Sequence, residues 1–208
     1  MIVYRNDIPE FLTSCNLVGG GAEIGTFQGE YAKIILDRWP GTLYMVDPWR
    51  PLGEEYQDTS NQKDHLDAYS KTMQNINGHE ERAHMIRALS HQAVKLFADD
   101  SLDFVYIDGN HAYDYVKEDI RLWYPKVKKG GLVAGHDYLD IDWDNDPNFL
   151  ENGKDKHIWF DPAPGSEEEV SYGGVFGVNP AVDEFVRDTN YNLSVTKEWM
   201  GTWHFIKS

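Results

Sequence analysis

Gly20-Gly21-Ala22-Glu23-Ile24-Gly25-Thr26-Phe27-Gln28-Gly29 is the stretch on which the fold turns. Gly21 to Ile24 reads as the end of a first strand. The glycines after it suit a tight turn that lets backbone approach a ligand. Ala32, Ile35, Leu36 and Trp39 then repeat at helical spacing until Pro40-Gly41 closes the helix. Leu43 to Val46 gives a second strand ending at Asp47. Leu66, Tyr69, Met73 and Ile76 mark the next helix, and Ala83 to Arg87 a third strand. Phe104 to Ile107 is an unbroken apolar run, as expected of a central strand buried on both faces. A helix follows on Val116, Ile120, Trp123 and Val127, ended by Lys129-Gly130-Gly131, with Leu132 to Ala134 as a fifth strand. A last helix carries Val182, Phe185 and Val186. Leu193 to Thr196 and Thr202 to Ile206 then alternate like a hairpin around Met200-Gly201. Strands alternating with helices specify an α/β fold with a mostly parallel sheet covered on both faces.

Composition narrows the function. The 208 residues suffice for one domain spanning 1–208 that hides roughly 70% of its unfolded surface. Lys and Arg total 19 against 35 Asp and Glu, a formal charge of -16, which disfavours nucleic acid and anionic membranes as partners. The small Lys126, Lys128, Lys129 cluster reads as a solvated helix end. One cysteine, Cys15, precludes an intrachain disulfide and reads as a small packed side chain. No run approaches the roughly 20 apolar residues of a membrane span, and the first residues lack a signal pattern, so a cytoplasmic location is expected. The sequence leaves open whether the chain forms a homo-oligomer.

The turn lacks the Gly-x-Gly-x-x-Gly order of a dinucleotide site. Its order is Glu23-x-Gly25-x-x-x-Gly29. An acid there would repel a pyrophosphate but could orient a cationic amino-acid group. Asp47, about 20 residues on, is placed to bind ribose hydroxyls. The alternative is a glycine-rich turn with Glu23 on the surface. In this order and spacing the chain resembles the class I S-adenosylmethionine-dependent methyltransferases. The resemblance implies a Rossmann-like seven-stranded sheet with a C-terminal antiparallel hairpin. It also implies that Glu23, Gly25 and Gly29 contact the methionine part of the cofactor and that Asp47 binds its ribose. Thr26 and Phe27 inside the turn, Ser90 after the third strand near the adenine pocket, and Asp108 complete the cofactor-binding candidates.

Two further loops open at the same end of a parallel sheet: Asp108-Gly109-Asn110-His111-Ala112-Tyr113 and Gly135-His136-Asp137-Tyr138. Asp108 and Asp137 offer hard oxygens of the kind Mg²⁺ takes. His136 as a third ligand would also admit Mn²⁺, Fe²⁺ or Zn²⁺. These segments, with Asp119, Trp123 and Lys129-Gly130-Gly131, resemble the metal-dependent O-methyltransferases of the macrocin, or macrolide-sugar, type. That resemblance maps the divalent-cation ligands onto Asp108, His136 and Asp137, with His136 standing where an acid is more usual. It maps the general base onto His111, whose ordinary pKa near 6.5 suits the task. Asp108 as a loop cap beside a helix-capping His111, and His136 as a hydrogen-bonded bystander, are the structural alternatives.

Trp49 reads equally as shelter for a ligand or as packing. From Asp140 to Gly174 periodicity disappears around Trp143, Trp159 and Phe160, as in a lid or acceptor loop. Asp142, Asp144 and Asp146 alternate like a calcium loop, but Pro147 occupies the glycine position. The expectation is an O-methyltransferase acting on a small hydroxylated acceptor, a sugar or natural product. The rivals are an oxidoreductase or hydroxylase-like enzyme on the same fold and a non-catalytic cofactor-binding module.

Overall fold

A computed structural model describes residues 1–50, 52, 62–139, 158–160, 172–174 and 177–208. In chain order a 3₁₀ turn (Arg5–Asp7) leads into α1 (Ile8–Ser14), β1 (Gly20–Ile24), α2 (Glu30–Arg38), β2 (Thr42–Asp47), α3 (Gln62–Asn75) and β3 (Ala83–Arg87). Then come α4 (Ser90–Ala93), β4 (Leu102–Ile107), α5 (Tyr113–Trp123), β5 (Val127–Leu139), β6 (Ile158–Phe160), β7 (Tyr172–Gly174), α6 (Val178–Thr189), β8 (Ser194–Val195) and β9 (Met200–Ile206). Seven strands form one sheet in the order β3-β2-β1-β4-β5-β9-β8. The first five run parallel, and β9 and β8 join antiparallel, so the fold is the α/β architecture with the C-terminal hairpin that the sequence predicts.

Alternation along the strands divides the core. Phe104, Tyr106, Leu132 and Ala134 point to one face, where Ile8 and Leu12 of α1 and Ala32, Ile35 and Leu36 of α2 cover them. Val105, Ile107 and Val133 point to the other, against Val116, Ile120 and Trp123 of α5 and Ala181 and Val182 of α6. Because β1 is flanked by β2 and β4, the turns after β1, β2 and β4 meet at the carboxyl edge, where open α/β sheets hold ligands.

Four expectations are revised. Of the expected α3 face, Tyr69 packs against the core and Ile76, just past the helix end, is buried, but Met73 is exposed; Ala68 and Thr72 are buried, and Thr72 lies close to Gly29. Helix α5 stops at Trp123, before Pro125, and the Lys129-Gly130-Gly131 segment already belongs to β5. Cys15 is exposed rather than packed. Lys128 is more than a solvated helix end: it pairs with the buried carboxylate of Asp103, which also accepts the Gly19 N–H. Lys128 is itself 41% exposed, so screening limits the pair, and Lys128→Ala is expected to cost about 1 kcal/mol in urea unfolding. Trp143, the Asp142–Asp146 stretch and most of the expected 140–174 lid lie outside the described residues, save the short β6–β7 pair.

Candidate functional site

The turn after β1 is held open for a ligand by its backbone. Gly25 has φ +88°, and a Cβ added there would lie 1.9 Å from the Asp108 carbonyl oxygen, so β1 and β4 can close only around glycine. Gly25 N–H donates to Val46 O (2.8 Å) and Asp108 N–H to Ile24 O (2.7 Å), which ties the three strand ends together. Phe27 is left-handed at φ 49°, which directs its N–H to Asp47 Oδ2 at 2.9 Å. Trp49 N–H donates to Asp47 Oδ1 at 2.7 Å, so the plane of this buried carboxylate is fixed at the end of β2. The Trp49 indole donates to Phe27 O (2.8 Å), and the same oxygen accepts from Thr72 Oγ1 (2.7 Å). Trp49 therefore braces the turn.

Glu23 is buried at 2% exposure, with Oε2 lacking a hydrogen-bond partner and the buried Thr26 hydroxyl beside the carboxyl. Burial pushes the Glu23 carboxyl up to about 8, opposed by a hydrogen bond from Thr26 and the charge of Arg5, while Asp108 and Asp47 add to the rise. A folded pKa above the unfolded value means that stability falls as pH rises from the ordinary carboxylate range through about 8. Glu23→Gln is accordingly expected to be more stable than wild type at pH 9, on the order of 1–2 kcal/mol in urea unfolding, with the gap closing below pH 5.

The loops after β4 and β5 converge. Asp108, His111 and Asp137 each place a donor atom within 4.8 Å of the others. His111 Nε2 lies 2.7 Å from Asp137 Oδ2 and 3.8 Å from Asp108 Oδ1. His136 Nδ1 lies 2.9 Å from Asp137 Oδ1 and 3.9 Å from Asp108 Oδ1. Asp137 thus stands between two imidazoles, one on each oxygen. Burial works against its charge, but His111 and then His136 more than offset it and hold its carboxyl well below the usual range. His111 is positioned by an Asx turn, in which Asn110 Oδ1 accepts the Ala112 N–H at 2.9 Å, and by its own carbonyl, which accepts the Gly177 N–H at 2.7 Å. Two carboxylates and an imidazole at this spacing fit a divalent cation.

Ser90 stands apart from this centre. Its hydroxyl bonds to Asp119 and accepts the Trp123 indole N–H at 2.8 Å, so its side chain locks α4 to α5. Burial raises the Asp119 carboxyl to about 7, opposed by the Ser90 bond. The residue that sequence reasoning missed is Arg5. Its Nη1 lies 3.8 Å from Asp108 Oδ2 and its guanidinium sits over the Tyr31 ring. No periodicity or motif marks it, because a single arginine in a loop acquires meaning only through what it is folded against.

Comparison with known proteins agrees with this geometry. The family described as Methyltransferase domain matches residues 22–138, which span both candidate loops and more than half of the chain. A protein of Acanthamoeba polyphaga mimivirus is 29% identical over 126 residues, 58% of this chain and 52% of the relative; a Sinorhizobium fredii protein is matched over 10% of its length. The chain therefore spans about half the length of the first of these curated relatives, and far less of the second. Among solved structures, a Staphylococcus aureus protein assigned as a caffeoyl-CoA O-methyltransferase superposes with a TM-score of 0.63 at 16% identity, over 97% of this chain and 81% of that one. A Bacillus cereus O-methyltransferase in complex with SAH gives 0.56 at 10% identity, over 97% and 80%. Likeness at such identities is likeness of fold. The family match, which takes in the Glu23 turn and both acidic loops, carries further: the chain belongs to the methyltransferase-domain family.

Proposed function

We propose that this chain is an S-adenosylmethionine-dependent O-methyltransferase, acting with a divalent cation on a small hydroxylated acceptor such as a sugar or natural product. The observation that carries the reading is that Asp108 belongs to both halves of the site. Its backbone closes on Gly25 of the cofactor turn, and its carboxylate faces His111 and Asp137. A methyl donor and an acceptor hydroxyl would therefore meet beside one residue. O-methyltransferases among the structural neighbours support this reading, as does the neighbour solved with SAH.

S-adenosylmethionine, when bound, supplies a methyl group on a sulfonium. Glu23, Gly25, Thr26, Phe27 and Gly29 would line its amino-acid end, Asp47 would accept from the ribose hydroxyls, since each carboxylate oxygen takes more than one bond, and the Ser90 region would border the adenine. Mg²⁺, or a softer Mn²⁺, Fe²⁺ or Zn²⁺, would be held by Asp108 and Asp137 with His136 against them, and would supply the acidity that an acceptor hydroxyl lacks in water. His111 would take the hydroxyl proton, and the Asp137 carboxylate beside it would stabilise the resulting imidazolium. The resemblance to macrocin-type enzymes favours a sugar hydroxyl. A second reading makes His111 the third cation ligand and His136 only a brace on Asp137, because the three-donor cluster contains His111.

Calorimetric titration with S-adenosylhomocysteine and NAD tests the cofactor, and tight NAD binding without response to the sulfur compound would overturn the proposal. Label transfer from methyl-labelled S-adenosylmethionine to a panel of hydroxylated acceptors, with chelator and Mg²⁺ add-back, tests the reaction. His111→Ala is expected to lower turnover about 10²-fold while S-adenosylhomocysteine still binds. Retained Mn²⁺ binding in that variant marks a base, and lost Mn²⁺ binding marks a ligand.

A further inference from the structure

Arg5 reaches the carboxylates from outside the sheet, on a segment fixed at several points. Asp7 Oδ2 accepts from the Val3 and Tyr4 N–H groups, each at 2.9 Å. Arg5 N–H donates to Glu198 Oε1 (2.8 Å), Lys197 N–H to Val3 O (3.0 Å), and the Tyr31 hydroxyl to Arg5 O (3.0 Å). The guanidinium carbon lies 4.5 Å from the Tyr31 ring centroid, a stacking distance that fixes the plane of the fork. Yet Nη1 to Asp108 Oδ2 is 3.8 Å, an ion-pair distance too long for a hydrogen bond. Asp108 does not consume the fork, and a bond to Tyr106 takes only part of the five N–H donors of a guanidinium, so donors remain for another anion. Glu23, close enough to feel the charge of Arg5, presents the opposite need: a buried carboxyl oxygen without a partner. Tyr31 is the second residue of α2, two after Gly29, which places this pair at the cofactor turn.

A carboxyl requiring a cation beside a guanidinium with donors to offer is the complement of an α-amino acid. We propose that Arg5, across from the Glu23 already assigned to the amino-acid end of the sulfonium cofactor, binds the α-carboxylate of that end, so that segment 3–7 supplies a cofactor-binding residue from outside the family-matched core. The inference rests on the cofactor reading above. It also gives the site a basis for preferring a full amino-acid sulfonium or thioether over a truncated nucleoside, because a lone thioether tail would leave both charges unmatched.

Calorimetry on the full chain with S-adenosylhomocysteine and with 5′-methylthioadenosine, which lacks the amino-acid group, tests it. Wild type is expected to prefer S-adenosylhomocysteine, and Arg5→Gln to weaken that ligand about 10- to 100-fold while changing methylthioadenosine affinity less than about twofold. Arg5→Lys, which keeps the charge but not the fork, should recover part of the loss. Equal weakening of both ligands would show that Arg5 only braces the fold and would overturn the proposal, as would unchanged S-adenosylhomocysteine affinity. A wild type that binds both ligands equally would refute the clamp while leaving the cofactor reading standing. A wild type that binds neither would refute both.

Discussion

Asp137→Ala is expected to reduce methyl transfer about 10³-fold or more and to weaken divalent-cation binding about 10²-fold, read by label transfer and by Mn²⁺ titration. The size of the effect follows from position. Asp137 sits where the β5–β9 register shifts between Gly135 and Tyr138, and its backbone is left-handed at φ 58°. A bulge of this kind re-aims a side chain that would otherwise follow the strand's alternation, and such strain is found where function requires it. The side chain is turned to meet His111 on one oxygen and His136 on the other. Alanine would remove a cation donor and the group that orients both imidazoles. The acid side of the stability curve provides a second readout. Because the folded pKa of Asp137 is depressed, its contribution is fully present above the ordinary carboxylate value, about 4, and is lost as pH falls below it. Asp137→Asn should lack that part of the acid transition. An unchanged acid limb would refute the assigned coupling.

Gly25→Ala should be the most damaging glycine-to-alanine change among the described residues, costing about 3 kcal/mol or more in urea unfolding and removing measurable S-adenosylhomocysteine binding. Two costs combine there. The backbone at φ +88° disfavours any side chain, and the new Cβ would fall 1.9 Å from the Asp108 carbonyl, which cannot swing aside as a side chain end could. Relief would require separating β1 from β4 at the point where Asp108 N–H bonds Ile24 O, which would move the Asp108 carboxylate with it. Gly78 is the control. It also has positive φ, +89°, but nothing lies within 4 Å of its virtual Cβ, so Gly78→Ala should show only the backbone cost of about 1 kcal/mol and leave binding intact. Equal losses at both positions would show that steric closure around Asp108 is not what Gly25 provides.

Much of the fold was legible because its signals are local. The strand ending at Asp47 and the strand at Ala83–Arg87 follow from apolar runs between turn residues, and the α2 stripe of Ala32, Ile35, Leu36 and Trp39 is buried as its spacing requires. On α3 only Met73 departs from its expected place, because the helix lies against the turn through Thr72, so closely that a side chain at Gly29 would collide with it, and Met73 is left facing water. Strand β5 was read short for a related reason: a bulge has no periodicity, and Asp137 interrupts the apolar pattern while the ladder with β9 continues past it.

The sequence by itself determined the order Glu23-x-Gly25-x-x-x-Gly29, the acid ending β2 and the two polar loops after β4 and β5, and hence the alternating fold and the class of cofactor to expect. Chain spacing encodes strands, helices and turns, and parallel topology sends every β-to-α loop to one edge. Only the tertiary structure decided which side chains meet there: that His111 faces Asp108 and Asp137 together, that Ser90 is occupied by Asp119 and Trp123, and that Arg5 lies beside Asp108. Those contacts join residues far apart in the chain through bulges, left-handed residues and a docked segment. Their energies depend on distance and burial, quantities that no local pattern of residues contains.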